Sequence, residues 1–203
     1  GSALAQYFQR TALQLPVPAQ QFPQRLAPQF EGARRRHHGR GHGTAPGGHI
    51  TITPLQRTAQ TARVFFPKAK LIPVDGLKEM NFGRFEGQTF VQVEQDPEYL
   101  AWVQENEHAA HPDGERRSDF CNRVCKTLAD LIDKALADGQ ERLVLVAPGG
   151  TQMAAMERFA VPHKTFHAWC GPNAGGYVLD ACDWKAEHIL HVVKTVQYTE
   201  ENA

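Results

Sequence analysis

The alternation of apolar and polar positions changes character at His49. From there "HITIT" alternates strictly and is β-branched, which predicts a strand. "PLQRTAQTARVFF" follows, with Leu55, Ala59, Ala62 and Phe66 at helical spacing and Pro54 suited to a first helical turn. "KLIPV" predicts a short strand. "DGLKEMNFGRFEGQTF", with three glycines, predicts a loop. "TFVQVEQDPEYLAWVQEN" predicts helix, broken or restarted at Pro97. The strongest pattern is "ERRSDFCNRVCKTLADLIDKALADG". It predicts an amphipathic helix with Phe120, Val124, Leu128, Leu131 and Leu136 on its inner side and Gly139 as its stop. "RLVLVA" predicts a buried strand and "TQMAAMERFA" a helix. "GGYVLDA" and "EHILHVVKTVQY" predict a closing hairpin around Asp183. This alternation implies an α/β fold of three layers, α/β/α, with a mostly parallel sheet covered on both faces.

Ahead of His49 the pattern fails. "LQLPVPAQQFPQRLAPQF" has prolines too close together for a helix and no strand alternation, and "EGARRRHHGRGHGTAPGG" is basic and glycine-rich. Two regions follow: a poorly ordered segment, 1–48, and a folded domain, 49–203. The formal charge of zero hides the same boundary. Residues 1–48 hold six arginines, no lysine and the single acid Glu31, a net of +5; the remainder holds 16 basic and 21 acidic residues, a net of −5. An out-of-frame or otherwise altered segment 3–48 would produce such a change.

No apolar run approaches the roughly 20 residues of a membrane span. The cysteines are Cys121, Cys125, Cys170 and Cys182, with no C-x-x-C pair. Cys121 and Cys125 share a helix face. Buried thiols in a reducing cytoplasm are expected, rather than a disulfide or a metal site.

Three blocks carry chemistry: "TPLQRTAQTA" from Thr53, "LKEMNFGRFEG" from Leu77, and "LVLVAPGGTQMAAMERFA" from Leu143. With "PDGERRSDFCNRV" ahead of the long helix, they resemble the histidine phosphatase superfamily, also called phosphoglycerate-mutase-like, and within it the alpha-ribazole phosphatases. The resemblance covers about residues 49–203. It implies a phosphomonoesterase that works through a phosphohistidine, without a cofactor or metal, in cobalamin nucleotide-loop assembly. By resemblance Arg57 binds phosphate and assists catalysis, since its planar fork can hold two phosphate oxygens. Glu79 matches the general acid. Gly149 and Gly150 match the phosphate-binding turn at a helix N-terminus. Glu86 reads as a structural loop residue that caps the next helix.

Two departures matter. The family's "HGG" is "PGG" here, and Pro148 cannot donate a hydrogen bond to a phosphoryl oxygen. Losing such a donor costs about 2.7–4 kcal/mol of transition-state stabilisation. The family's "RHGxT" follows an apolar strand, whereas "RRRHHGRGHGT" does not. Only Ala45 to Gly48 separate Thr44 from "HITIT", and a parallel crossover needs about a dozen residues. His37 and His42 therefore read first as part of a solvated basic segment. His108, His111, His163, His167, His188 and His191 read as surface or packed residues, and Asn173 as structural. Trp102, Trp169 and Tyr177 read as core or rim.

The expected function is hydrolysis of a small-molecule phosphate ester, with turnover impaired by the missing histidines. A catalytically silent binder of phosphorylated ligands or of a protein is the alternative, and phosphoglycerate mutase a lesser one. A homodimer remains open. The acidity of residues 49–203 argues against a nucleic-acid partner, and no membrane partner is expected.

Overall fold

The computed structural model describes residues 48–88, 90–104, 113–172 and 175–196. The segment expected to be poorly ordered therefore lies, apart from Gly48, outside the described residues, as do His37, His42, His108, His111 and Asn173.

Strand β1, His49–Ile52, is the centre of a three-stranded parallel sheet. β2, Lys70–Pro73, pairs along its whole length, from His49 with Lys70 to Ile52 with Pro73. β3, Leu145–Val146, pairs with Thr51 and Ile52 on the other side. A parallel pair needs a crossover, and helix α1, Gln56–Phe65, supplies it between β1 and β2. The alternation in "HITIT" has a direct packing consequence. Ile50 and Ile52 are buried in a small apolar cluster with Ala62 of α1 and Ala69, joined by Leu71, Val144 and Val146. Leu145, on the other face, packs with the main core instead. Both faces of the sheet are thus covered, as the three-layer reading requires.

The main core lies around helix α4. After β2 the chain makes two tight turns, Asp75–Leu77 and Gly83–Phe85. Two helices follow, α2, Phe90–Val93, and α3, Pro97–Gln104, with Pro97 opening the second. α4, Arg117–Ala137, ends at Asp138 and Gly139, whose φ of 65° needs glycine. α5, Gly149–Phe159, packs against α4 and runs into β4, Ala160–Val161. β5, Gly176–Asp180, and β6, Leu190–Val196, form the forecast hairpin, with the short helix α6, Trp184–Glu187, in its connection. β6 is central to a second sheet, parallel to β4 and antiparallel to β5. The fold is α/β with mostly parallel pairing.

Several boundaries differ from the sequence reading. Along α4 the buried positions are Phe120, Val124, Cys125, Leu128, Ile132 and Ala135, while Leu131 and Leu136 are half-buried. Each four-residue step advances about 40° around a helix. The apolar face therefore drifts, leaving Leu131 and Leu136 at its flanks. Only Leu145–Val146 of "RLVLVA" is strand, because β1 is short; one further bond, from Thr51 N to Val144 O at 2.9 Å, extends the contact. Pro54 stands outside α1, whose N-cap is Leu55. Trp102 and Trp169 are buried in the core, and Tyr177 meets Trp169 edge-on at 5.4 Å.

The Asp75–Leu77 turn sits directly on α4. A Cβ at Gly76 would collide with Thr127 Oγ1 and lie 3.0 Å from Thr127 Cβ, an atom that cannot rotate away. Gly76→Ala should lower stability by about 1–3 kcal/mol, as overpacking does. Urea unfolding should show a reduced midpoint at unchanged slope, partly restored by adding Thr127→Ala.

Candidate functional site

Because β1, β2 and β3 are parallel, the segments that follow them leave the sheet at one edge. In open α/β sheets that edge is where ligands bind. Arg57 lies in the first turn of α1, after β1. Glu79 lies in the loop after β2, and Pro148, Gly149 and Gly150 open α5 after β3. The three blocks singled out in the sequence are these three exits.

The start of α1 is fixed by two threonines. Thr58 Oγ1 donates to Leu55 O at 2.7 Å and lies 2.9 Å from both Thr53 O and Thr53 Oγ1. Thr53 and Thr58 are buried, so this knot sets where the neighbouring Arg57 begins. Arg57 is half-buried, and among the described residues its guanidinium has no hydrogen-bond partner.

The Glu79 loop is held by α4 and α5 together. Arg123 of α4 donates through Nε to Glu115 Oε1 at 2.9 Å and through Nη2 to Glu115 Oε2 at 2.7 Å. Its Nη1 reaches Gly76 O at 3.0 Å and Lys78 O at 3.2 Å. Glu115 N donates to Asn81 O at 2.8 Å. From α5, buried Thr151 Oγ1 donates to Leu77 O at 2.9 Å. The "PDGERRSDFCNRV" block thus acts as a latch on the loop that carries Glu79.

Glu79 bridges that loop to α5. Oε1 accepts from Met80 N at 3.1 Å, and Oε2 from Gly150 N at 3.2 Å. Glu79 is half-buried. Burial raises its pKa above the ordinary 4.5, against the lowering pull of the two backbone donors and of the nearby Arg57 charge. The Glu86 charge, the smallest contribution, pushes the same way as burial. Glu86 does not cap the next helix. It closes the turn before it, accepting from Phe82 N at 2.8 Å.

Pro148 is the buried N-cap of α5, with φ −62° and ψ 161°. Gly149 is exposed, and a Cβ there would meet nothing within 4 Å, so no described neighbour demands glycine at that position. Gly150 is buried and donates its N–H to Glu79. Neither α1 nor α5 has an acidic residue in its first turn or a side-chain cap among the described residues. Both helix starts can therefore receive an anion.

Beside Glu79 opens a cleft of about 540 Å³ lined by Asp75, Lys78, Asn81, Arg116 and Asp119, among others. Sequence reasoning missed Lys78 and Arg116 as site residues; their only signal was adjacency to Glu79 and Glu115. None of the described histidines lines this cleft.

Glu79 also has a measurable linkage. Its folded pKa is raised, so its stabilising contribution is full below about pH 4.5 and is lost as pH climbs through the raised value. Glu79→Gln cannot ionise. The stability of this variant relative to wild type should therefore increase across that window, read from urea midpoints at several pH values. A difference that stays flat with pH would contradict the assignment.

A family model described as Histidine phosphatase superfamily (branch 1) matches residues 36–192. The match starts ahead of His49, so it extends beyond the region where the sequence resemblance was drawn and takes in Arg36 to Thr44. Among solved structures, Bacillus stearothermophilus YhfR is similar with a TM-score of 0.61 and 18% identity over 89% of this chain and 82% of that one. A mycobacterial glucosyl-3-phosphoglycerate phosphatase in complex with inorganic phosphate gives 0.58 and 19% over 89% and 85%. The alpha-ribazole phosphatase from Shigella flexneri gives 0.54 and 18% over 76% and 73%. At these identities the structures speak for the fold. No curated protein matches the chain. Among the described residues no helix is long and apolar enough to cross a membrane. The family model spans most of the chain and includes the three segments, at Arg57, Glu79 and Gly149, that leave the parallel sheet at one end: the chain belongs to the histidine phosphatase superfamily.

Proposed function

We propose that the chain is a phosphomonoesterase acting on a small phosphate ester, with turnover reduced by Pro148. The observation that carries this reading is the Glu79 carboxyl bonded to Gly150 N at the start of α5, with the Arg57 charge beside it. In this reading three segments distant in sequence supply a cation, a helix N-terminus and a proton donor to one oxyanion.

In this reading the Arg57 fork and the α5 start hold the phosphoryl oxygens, where charge sits in the transition state. An imidazole nitrogen attacks phosphorus, and the ester P–O bond breaks. Glu79, kept protonated to higher pH by burial, gives its proton to the leaving oxygen. Water then cleaves the P–N bond and releases phosphate. The family match begins at residue 36, so the candidate imidazoles are His37, His38 and His42. The likeness of the sequence blocks to alpha-ribazole phosphatases makes alpha-ribazole phosphate the substrate to test first, and with it a cytoplasmic role in cobalamin nucleotide-loop assembly.

A second reading, a silent phosphate-ligand or protein binder, is favoured by Pro148, whose ring has no donor for an equatorial oxygen, and by the departure of "RRRHHGRGHGT" from the family's front motif.

The two readings separate in an assay with a generic aryl phosphate. For the enzyme, slow turnover is expected, abolished in Arg57→Ala. Pro148→His should raise kcat by about 10²–10³, the usual value of one oxyanion donor. Phosphate binding with no turnover in wild type or in Pro148→His would establish the silent binder instead.

A further inference from the structure

The connection between β5 and β6 gathers three different kinds of donor atom away from the Glu79 cleft. Cys182 and Asp183 precede α6, and His191 is the second residue of β6. Strand pairing places His191 opposite Asp180, at the end of β5, which brings it back to the turn. Cys182 N donates to Asp180 Oδ1 at 2.9 Å, which fixes the turn that presents the thiol. His191 Nε2 lies 2.7 Å from Asp183 Oδ2. One ligand atom from each of Cys182, Asp183 and His191 lies within 4.8 Å of the other two. An ion pair accounts for Asp183 and His191, but it does not account for a sulfur drawn into the same small space.

We propose that Cys182, Asp183 and His191 form a site for a zinc-class divalent metal that ties the β5–β6 connection together. The donor set decides the metal class. Thiolate, imidazole and carboxylate together suit zinc and its neighbours, whereas calcium and magnesium take oxygen ligands. Zinc–ligand bonds of about 2.0–2.3 Å place tetrahedral ligand atoms about 3.3–3.8 Å apart. The observed spacing reaches that geometry through small side-chain rotations, with water in the fourth position.

Cys182 and Asp183 are exposed, so an ion reaches the site from solvent, and binding releases the thiol proton. His188 meets the Trp184 ring at 5.0 Å, and Trp184 Nε1 donates to Asp133 Oδ1 at 2.7 Å. Such a metal would join the first residues of β6 to the end of β5 through side chains as well as through the backbone ladder. The site shares no residue with the Glu79 cleft, so it stands or falls apart from the phosphatase reading.

Cobalt(II) titrated into the full-length chain tests the proposal. One equivalent should bring up thiolate-to-cobalt charge-transfer absorption, which zinc then removes. Cys182→Ser should abolish the band, Cys170→Ser should leave it, and His191→Ala should weaken cobalt affinity by at least about tenfold, since even outer-shell losses cost 10–100-fold. Zinc should raise the Tm of wild type and not of Cys182→Ser. The histidines of residues 1–48 can bind metal but cannot give a thiolate band. No such band, or a band unchanged in Cys182→Ser, would overturn the site.

Discussion

The guanidinium of Arg123 holds the candidate site together. Its rigid fork meets two carboxylate oxygens of Glu115 and two backbone carbonyls, those of Gly76 and Lys78. A lysine could not satisfy that geometry, because its charge is a point with no planar set of donors. Without the fork, two carbonyls would lose their partners and the loop after β2 would lose its tie to α4. Glu79 is one residue beyond Lys78, so its position is set by this latch and by Thr151 on the α5 side. The placement of Glu79 is a consequence of helix packing carried through a turn. Gly76 is the contact point, which is why its missing side chain matters.

Pro148 shows how fold and chemistry separate. Its backbone sits at a φ that the pyrrolidine ring prefers, at the start of a helix where the absent N–H costs nothing. The substitution is therefore benign for folding, and α5 begins where the family blocks place it. What it lacks is the side-chain donor that the proposed reading would place against an oxyanion. A scaffold can keep such a change indefinitely, since stability does not register it.

The parts of this molecule that depend on local pattern were legible in the sequence. "HITIT" reads as a strand because Ile50 and Ile52 must share a face, and Pro97 marks a helix start because its ring fits one. Arg57, Glu79 and Gly150 could be named as partners only through the blocks around them, and the structure does bring their loops to one sheet edge. The rest depends on registers that no local window contains. The Glu115–Arg123 latch needs α4 to begin between the two residues and its second turn to face back. The drift of the α4 face, which favours Ile132 and Ala135 over Leu131, becomes visible only over several turns. His191 meets Cys182 only because a register shift between Val178 and Leu179 sets the hairpin alignment. Gly149 was read as a close-approach glycine from its place in a block, and the space around it is open.

In the resting molecule, the α5 amide that would greet a phosphoryl oxygen is already taken by the protein's own carboxylate. In the proposed reading an arriving anion displaces a carboxyl that burial favours in its neutral form, and the same tethered carboxyl competes for that amide when phosphate leaves. A phosphatase pocket built in this way would give up grip on its product in return for rapid clearance.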